Sequence, residues 1–303
     1  MKVGIIGTGW VGTSVAISVL HEGIAQELLL NDVRPRVAEG EAMDLRHGAA
    51  FYPNAVVRAG TIEEMREADA VVIAAGRGGS SSEESRLDLL KDNARMIHQL
   101  GEQFRGARAI VVMVSNPVDV LTRIFSEASA LPPERVFGTG TTLDTARLRQ
   151  ILGSRLRISP RSIHASVIGE HGDSEVVLWS SADVGGAPLR QWPDWKPGFE
   201  APIADEVRHA AYEIIDRKGA TNHAIGLVTA DVLESVLRDQ RRVLTVGRVQ
   251  QGNGLDGVAL SLPTVVGRQG AEKVIVPPMS DEEAAGLRRS ADVLRKAYEG
   301  IKG

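Results

Sequence analysis

At 303 residues, with 43% hydrophobic and 24% charged residues, the chain can bury one large core or two smaller ones and has an ordinary soluble composition. Its formal net charge is -4 and its basic residues are scattered, which leaves no electrostatic footprint for nucleic acid or an anionic membrane surface. Cysteine is absent, so disulfides, thiolate chemistry and cysteine-ligated zinc drop out together; no metal site is expected, and a reducing cytoplasm fits best.

The apolar N-terminus carries a single Lys2, is interrupted by Gly4, Gly7, Gly9 and Gly12, and lacks a small-residue cleavage site. It therefore reads as a strand and turn rather than a signal peptide. No run is long and apolar enough to span a bilayer. Short apolar runs at 3–6, 28–30, 55–57, 70–75, 110–114 and, more weakly, 136–137 alternate with helical patterns such as 11–21 and 87–104. That alternation predicts right-handed βαβ units on a parallel sheet, whose strands are continuously apolar because helices cover both faces. The tract Gly78 to Ser82 is a candidate mobile loop. From about Leu143 the rhythm changes. A helix runs through Arg149 and Leu152, followed by strand-like runs at 163–168 and 175–179 and a Trp/Pro-rich connection at 191–198. Trp192 and Trp195 in that connection read as loop packing. Helical patterns at 204–218 and 224–238, strand-like runs at 242–246 and 257–262, and a terminal helix at 281–298 complete the chain. The expected class is α/β: a doubly wound parallel sheet over residues 1–142, then a mixed α+β domain over 143–303.

Gly7-Thr8-Gly9-Trp10-Val11-Gly12 follows the first strand and opens the first helix, the context that a dinucleotide fingerprint requires. Gly7 permits the tight turn, Gly9 lets backbone approach a pyrophosphate, and Gly12 brings helix close to sheet. Asp32 ends the second strand 20 residues after Gly12, where a carboxylate accepts from the ribose hydroxyls of NAD. It would repel the extra phosphate of NADP, although Arg34 nearby leaves that cofactor open. NAD is the expected cofactor.

Four segments place polar groups beyond the carboxyl ends of strands, where a doubly wound fold opens its ligand crevice: Arg86-Leu87-Asp88, Ser115-Asn116-Pro117, Leu143 to Arg147, and Gly169 to Asp173. Reducing a 2-oxo acid needs a proton donor, a cation at the carbonyl and a fork for the carboxylate. His171 is the natural acid/base, since imidazole titrates near neutral pH, and Asp144 could stabilise its protonated form. Arg147 lies one helical turn beyond Asp144, so its guanidinium could reach the same cleft and grip a carboxylate bidentately. Arg86, after the flexible tract, remains for the carbonyl. In isolation these residues have bland readings too: Asp144 as a helix N-cap, Asn116-Pro117 as a turn, and His98, His164 and His209 as ordinary core or surface histidines.

The ordered motifs GTGWVG, Asp32, Asp44-Leu45-Arg46-His47-Gly48, SRLDL, SNPVDV, GTGTTLDTARLR, GEHGDS, KGATNHAIG and LSLPTVVGRQG resemble, through essentially the whole chain, the L-lactate dehydrogenase branch of the lactate/malate dehydrogenase family. The resemblance implies a Rossmann-type NAD-binding domain, exchange between small 2-oxo and 2-hydroxy acids, and a homo-oligomer, tetramer or dimer. It makes His171 the proton donor and acceptor, Asp144 its orienting partner, Arg147 the carboxylate clamp and Arg86 the mobile carbonyl-polarising arginine. Asn116 and Thr221 join the substrate site. Gly7, Gly9, Val11, Gly12, Asp32, Gly76, Val114, Asn116 and Thr139 fall to the cofactor. Arg149 and His164 match positions that bind fructose 1,6-bisphosphate in some bacterial relatives.

Between Gly76 and Arg86 the chain departs from the family's pattern. The loop is one residue longer, and the specificity position falls on Gly79 or Ser80 instead of the glutamine of lactate enzymes or the arginine of malate enzymes. Neither residue can pair with a second carboxylate, so pyruvate and lactate rank first, bulkier 2-oxo acids second and malate third. A reading of a different class, an NAD-binding sensor without turnover, would need only the cofactor half, and the intact Arg86, Asn116, Asp144, Arg147 and His171 favour the enzyme.

Overall fold

Strict alternation of strand and helix builds the first half, and the glycines and apolar runs account for where each element starts and stops. The computed structural model describes residues 1–76, 86–193, 195–196 and 198–302, with the backbone alone at 86–89 and 302. In order come β1 (Lys2–Ile6), α1 (Trp10–Glu22), β2 (Glu27–Asn31), α2 (Pro35–His47), β3 (Val56–Ala59), α3 (Ile62–Arg66) and β4 (Ala70–Ile73). Then follow α4 (Arg86–Gln103), β5 (Ile110–Met113), α5 (Val118–Ser129) and β6 (Val136–Gly138). All neighbours in the order β6-β5-β4-β1-β2-β3 pair in parallel. β4 and β5 are buried along their whole length because helices cover both sheet faces, which is why their sequences lack a polar alternation. On one face Phe104 and Phe125 meet edge to face at 5.6 Å. Truncating either to alanine would cost about 3–5 kcal/mol through lost transfer energy and the cavity left behind.

The second half contains α6 (Thr142–Leu156), the short strands β7 (Ile163–His164), β8 (Val167–Ile168), β9 (Val176–Val177), β10 (Asp183–Val184) and β11 (Ala187–Pro188), α7 (Glu200–Lys218) and α8 (His223–Leu237). β12 (Arg242–Val249), β13 (Ala259–Gly267), β14 (Gly270–Val274) and α9 (Asp281–Lys302) end it. Its long strands do not make a sheet of their own. β12 pairs antiparallel with β6, and β13 and β14 follow, so the parallel sheet grows to nine strands. The edge of β6 would otherwise expose unpaired backbone groups, and covering it satisfies them.

The expected continuous strand at 163–168 is instead two short ones in different sheets. Side chains of α6 and of Thr141 just before it take the backbone groups that a ladder would use: Thr145 Oγ1 accepts from Val167 N at 3.0 Å, Thr141 Oγ1 donates to Val167 O at 2.6 Å, and Arg149 Nε donates to Ala165 O at 3.0 Å. Likewise the run at 175–179 keeps only a two-residue strand. The tryptophans pack as expected, with Trp195 lying 5.9 Å from Trp179 and 5.6 Å from Phe199, while Trp192 sits against the same small core.

Candidate active site

The crevice at the carboxyl ends of the strands opens where the strand order reverses, between β1 and β4. Gly7 ends β1 with φ +93°, and a Cβ there would stand 2.5 Å from Ala75 N, so only glycine lets the turn pass the backbone after β4. A Cβ at Gly12 would sit 1.9 Å from Gly7 O. At Gly9 a Cβ would meet nothing within 4 Å, which leaves the first turn of α1 open on its outer side. Asp32 Oδ2 accepts from Thr8 N at 3.0 Å, and Oδ1 accepts from Arg34 N at 3.0 Å. Burial disfavours the Asp32 carboxylate, but these backbone N–H groups outweigh it and hold its pKa below the ordinary value, so it stays an acceptor. An open helix N-terminus beside a fixed carboxylate fits the phosphates and ribose of a dinucleotide.

Of the other expected cofactor positions, Val114 and Thr139 are buried behind the crevice and Gly76 is exposed on its rim. Val11 is half-buried on the first turn of α1. Asn116 is exposed, and its Oδ1 accepts at 3.3 Å from the N–H of Val118, the first residue of α5.

Three of the predicted site residues, Asp144, Arg147 and His171, come together. Asp144, in the first turn of α6 and 2% exposed, uses one oxygen for His171 Nδ1 at 2.5 Å and the other for Arg147 Nη1 at 2.7 Å. One buried carboxylate therefore holds two cations, and Arg147 is partly committed to it rather than wholly free for a ligand. Burial raises the Asp144 pKa, but His171 and Arg147 outweigh it and keep the group below its ordinary value. For His171, burial opposes the charged ring, yet the Asp144 charge and hydrogen bond prevail and push the pKa up to about 9. The imidazole thus carries a proton at neutral pH, with Nδ1 tied to Asp144 and Nε2 on the opposite side of the ring.

The loop bearing His171 is pinned from three sides. Gly169, at φ +89°, exchanges backbone hydrogen bonds with Ser261 of β13, both 2.9 Å. Glu170 N donates to Ser290 Oγ of α9 at 2.6 Å, and His171 N donates to Asp119 Oδ2 of α5 at 2.7 Å. Arg147 and Thr221 line one cleft of about 850 Å³ between α6, α7 and the start of α8, together with His209, Arg217 and Asn222.

Two buried carboxyls near His171 escaped the sequence reading. Asp119 is 3% exposed, and burial, opposed by the His171 N–H, lifts its pKa to about 7. Glu175 is 6% exposed, its Oε1 has no hydrogen-bond partner among the described residues, and burial and then the Asp144 charge lift it to about 8. A signal existed for both: Asp119 is a lone charge inside the apolar run Val118-Asp119-Val120-Leu121, and Glu175 directly heads the apolar run Val176-Val177-Leu178. Arg86 begins α4, but its side chain lies outside the described residues, as do Gly79 and Ser80.

Sequence models of the lactate/malate dehydrogenase NAD binding domain and of the lactate/malate dehydrogenase alpha/beta C-terminal domain match residues 1–138 and 141–302. The chain belongs to the lactate/malate dehydrogenase family. Among its relatives in that family, the L-lactate dehydrogenase of Salinibacter ruber is 46% identical over 300 residues, covering 97% of this chain and 95% of the relative. That of Synechococcus sp. (strain JA-3-3Ab) is 44% identical over 306 residues and the full length of both. The crystal structure of the minor L-lactate dehydrogenase from Enterococcus mundtii superposes with a TM-score of 0.94 at 39% identity, covering 98% and 97% of the two chains.

Proposed function

We propose that this chain is an NAD-dependent L-2-hydroxy acid dehydrogenase that interconverts pyruvate and L-lactate. The observation carrying this reading is the bridge from Asp144 to both His171 Nδ1 and Arg147 Nη1, which ties an imidazole and a guanidinium to one buried carboxylate. Family membership and the lactate dehydrogenases similar to it support the substrate pair. In this reading residues 1–142 hold the cofactor and 143–303 supply the acid/base and the carboxylate clamp.

NADH, when bound against the open turn at Gly9 and the Asp32 carboxylate, supplies the hydride. The remaining work falls to side chains. His171 Nε2–H donates to the carbonyl oxygen of the 2-oxo acid and hands over its proton as that oxygen becomes a hydroxyl, leaving a neutral ring whose Nδ1–H stays on Asp144. In the reverse direction Nε2 takes the hydroxyl proton. Arg147 keeps guanidinium N–H groups beyond the one given to Asp144, and these grip the substrate carboxylate. Asp144, buried at 2% exposure, exerts its charge through little intervening water, which strengthens its hold on both cations. Arg86 polarises the carbonyl, Asn116 and Thr221 complete the substrate contacts, and Ser80 belongs to the sequence position that selects the substrate side chain.

Three further points belong to the same proposal. Exposed Ile17 and Phe51 line one groove with Leu45 and Tyr52, an apolar patch that supports a homo-oligomer. Arg149 and His164 share a cleft of about 800 Å³ with Arg161 and Arg242 and with the carboxylates Glu22, Asp231 and Glu234, and activation by fructose 1,6-bisphosphate rests on the match of Arg149 and His164 to the positions that bind it in some relatives. Absence of cysteine accords with action in the cytoplasm. The test is NADH oxidation followed by absorbance against pyruvate, oxaloacetate, 2-oxoisocaproate and phenylpyruvate, with NADPH as control. Turnover highest on pyruvate is expected, and silence on all four despite NADH binding overturns the reading. An activity curve flat in the sugar bisphosphate removes the effector.

A further inference from the structure

α5 starts directly after Asn116-Pro117, so its first turn lies at the carboxyl end of β5 and meets the His171 loop. An aspartate in the first turn of a helix ordinarily faces solvent and favours the positive end of the dipole. Asp119 instead points inward and is 3% exposed. Its Oδ2 accepts from the backbone N–H of His171 at 2.7 Å, while Oδ1 has no partner among the described residues. Opposite Oδ1 stands Gly247 of β12, where a Cβ would come within 2.8 Å of that oxygen. Burying a carboxyl is costly unless hydrogen bonds compensate, and here the described bonding is a single contact to the residue that bears the acid/base.

We propose that Asp119 is a positioning residue for proton transfer: it fixes the main chain of His171 so that the ring meets Asp144, and its charge joins that of Asp144 in holding the imidazolium proton. The inference rests on the assignment of His171 above. Charged groups facing the His171 ring are Asp144 and Arg147 from α6, Asp119 from α5 and Glu175 from its own loop; those facing Asp119 are His171, Glu170 and Asp144. Burial lifts the Asp119 carboxyl to about 7, so its charge is present in the alkaline range, where His171 loses its proton.

Two variants separate position from charge. Asp119→Asn keeps an acceptor oxygen for His171 N and removes the charge, whereas Asp119→Ala removes both. Titrating the His171 ring by NMR in the cofactor-free protein needs no turnover, so it reads the inference even if the dehydrogenase assignment fails. In Asp119→Asn the ring should titrate about half a pH unit or more below the unaltered protein, and the alkaline limb of kcat/KM for pyruvate reduction should move with it. In Asp119→Ala, kcat should fall about tenfold or more while NADH affinity stays within about twofold. A merely structural role would lower the melting temperature and leave the titration where it was. A His171 titration unmoved in Asp119→Asn overturns the inference, whether or not Asp119→Ala folds. Unaltered kcat in a folded Asp119→Ala overturns it too.

Discussion

Replacing Asp144 by asparagine removes the charge that holds the His171 proton and leaves a side chain of nearly the same shape. Asp144 lifts the ring from its ordinary 6.5 to about 9 against the opposing effect of burial, and that gap is worth roughly 3 kcal/mol at about 1.36 kcal/mol per pH unit. With the charge gone, burial and the Arg147 charge outweigh Asp119, so the ring should titrate below its ordinary 6.5. At pH 8.5 its protonated fraction then drops from roughly three quarters to about 1% or less, a far larger loss than at pH 5.5. The kcat/KM for pyruvate reduction should therefore fall roughly 70-fold or more further at pH 8.5 than at pH 5.5, on top of a loss from misorientation common to both. Stopped-flow or steady-state NADH absorbance at the two pH values measures the ratio. Equal losses at pH 5.5 and 8.5 would refute the claim that Asp144 acts by holding the proton.

Gly12→Ala should abolish folding or lower the melting temperature by many degrees, because its Cβ would lie 1.9 Å from Gly7 O, while Gly9→Ala, with nothing within 4 Å, should fold normally and weaken only NADH affinity; calorimetry and fluorescence titration distinguish the two. Arg147→Lys should raise KM for pyruvate about tenfold or more with a smaller effect on kcat, since lysine keeps the charge but loses the fork, as steady-state kinetics will report. Glu175→Gln should raise the melting temperature at pH 8.5 more than at pH 5. The acid's pKa is raised on folding, from 4.5 to about 8, so stability in the unaltered protein is greatest at low pH, declines as pH rises through that window, and levels off above it. A melting-temperature gain that does not grow with pH would contradict that sign.

The dinucleotide half of the site was legible in the sequence because its determinants are local. Gly7, Gly9 and Gly12 lie within one turn and one helix start, and Asp32 follows at the end of the adjacent strand, so spacing alone carries their geometry. The Asp144 and Arg147 pair was legible for the same reason, being one helical turn apart. His171 was identified by its type and flanking motif, and nothing in its local sequence states that Nδ1 comes within 2.5 Å of a carboxylate 27 positions away.

What joins these pieces is decided by contacts that periodicity does not encode. The His171 loop is set by Asp119, Ser261 and Ser290, from an α5 turn, an antiparallel strand and the last helix. The sheet's extension from six strands to nine depends on β12 finding the open edge of β6, a pairing of residues 109 positions apart at Gly138 and Gly247. Buried Asp119 and Glu175 read locally as single charges within or heading apolar runs, and their raised pKa values arise only when packing removes water and brings Asp144 and His171 near. The sequence by itself determined which chemical groups are present and how neighbours along one element are spaced, because those follow from helix and strand periods. The tertiary structure decided which carboxylate each cation meets and how far each proton is held, because distance and desolvation across elements exist only in the packed chain.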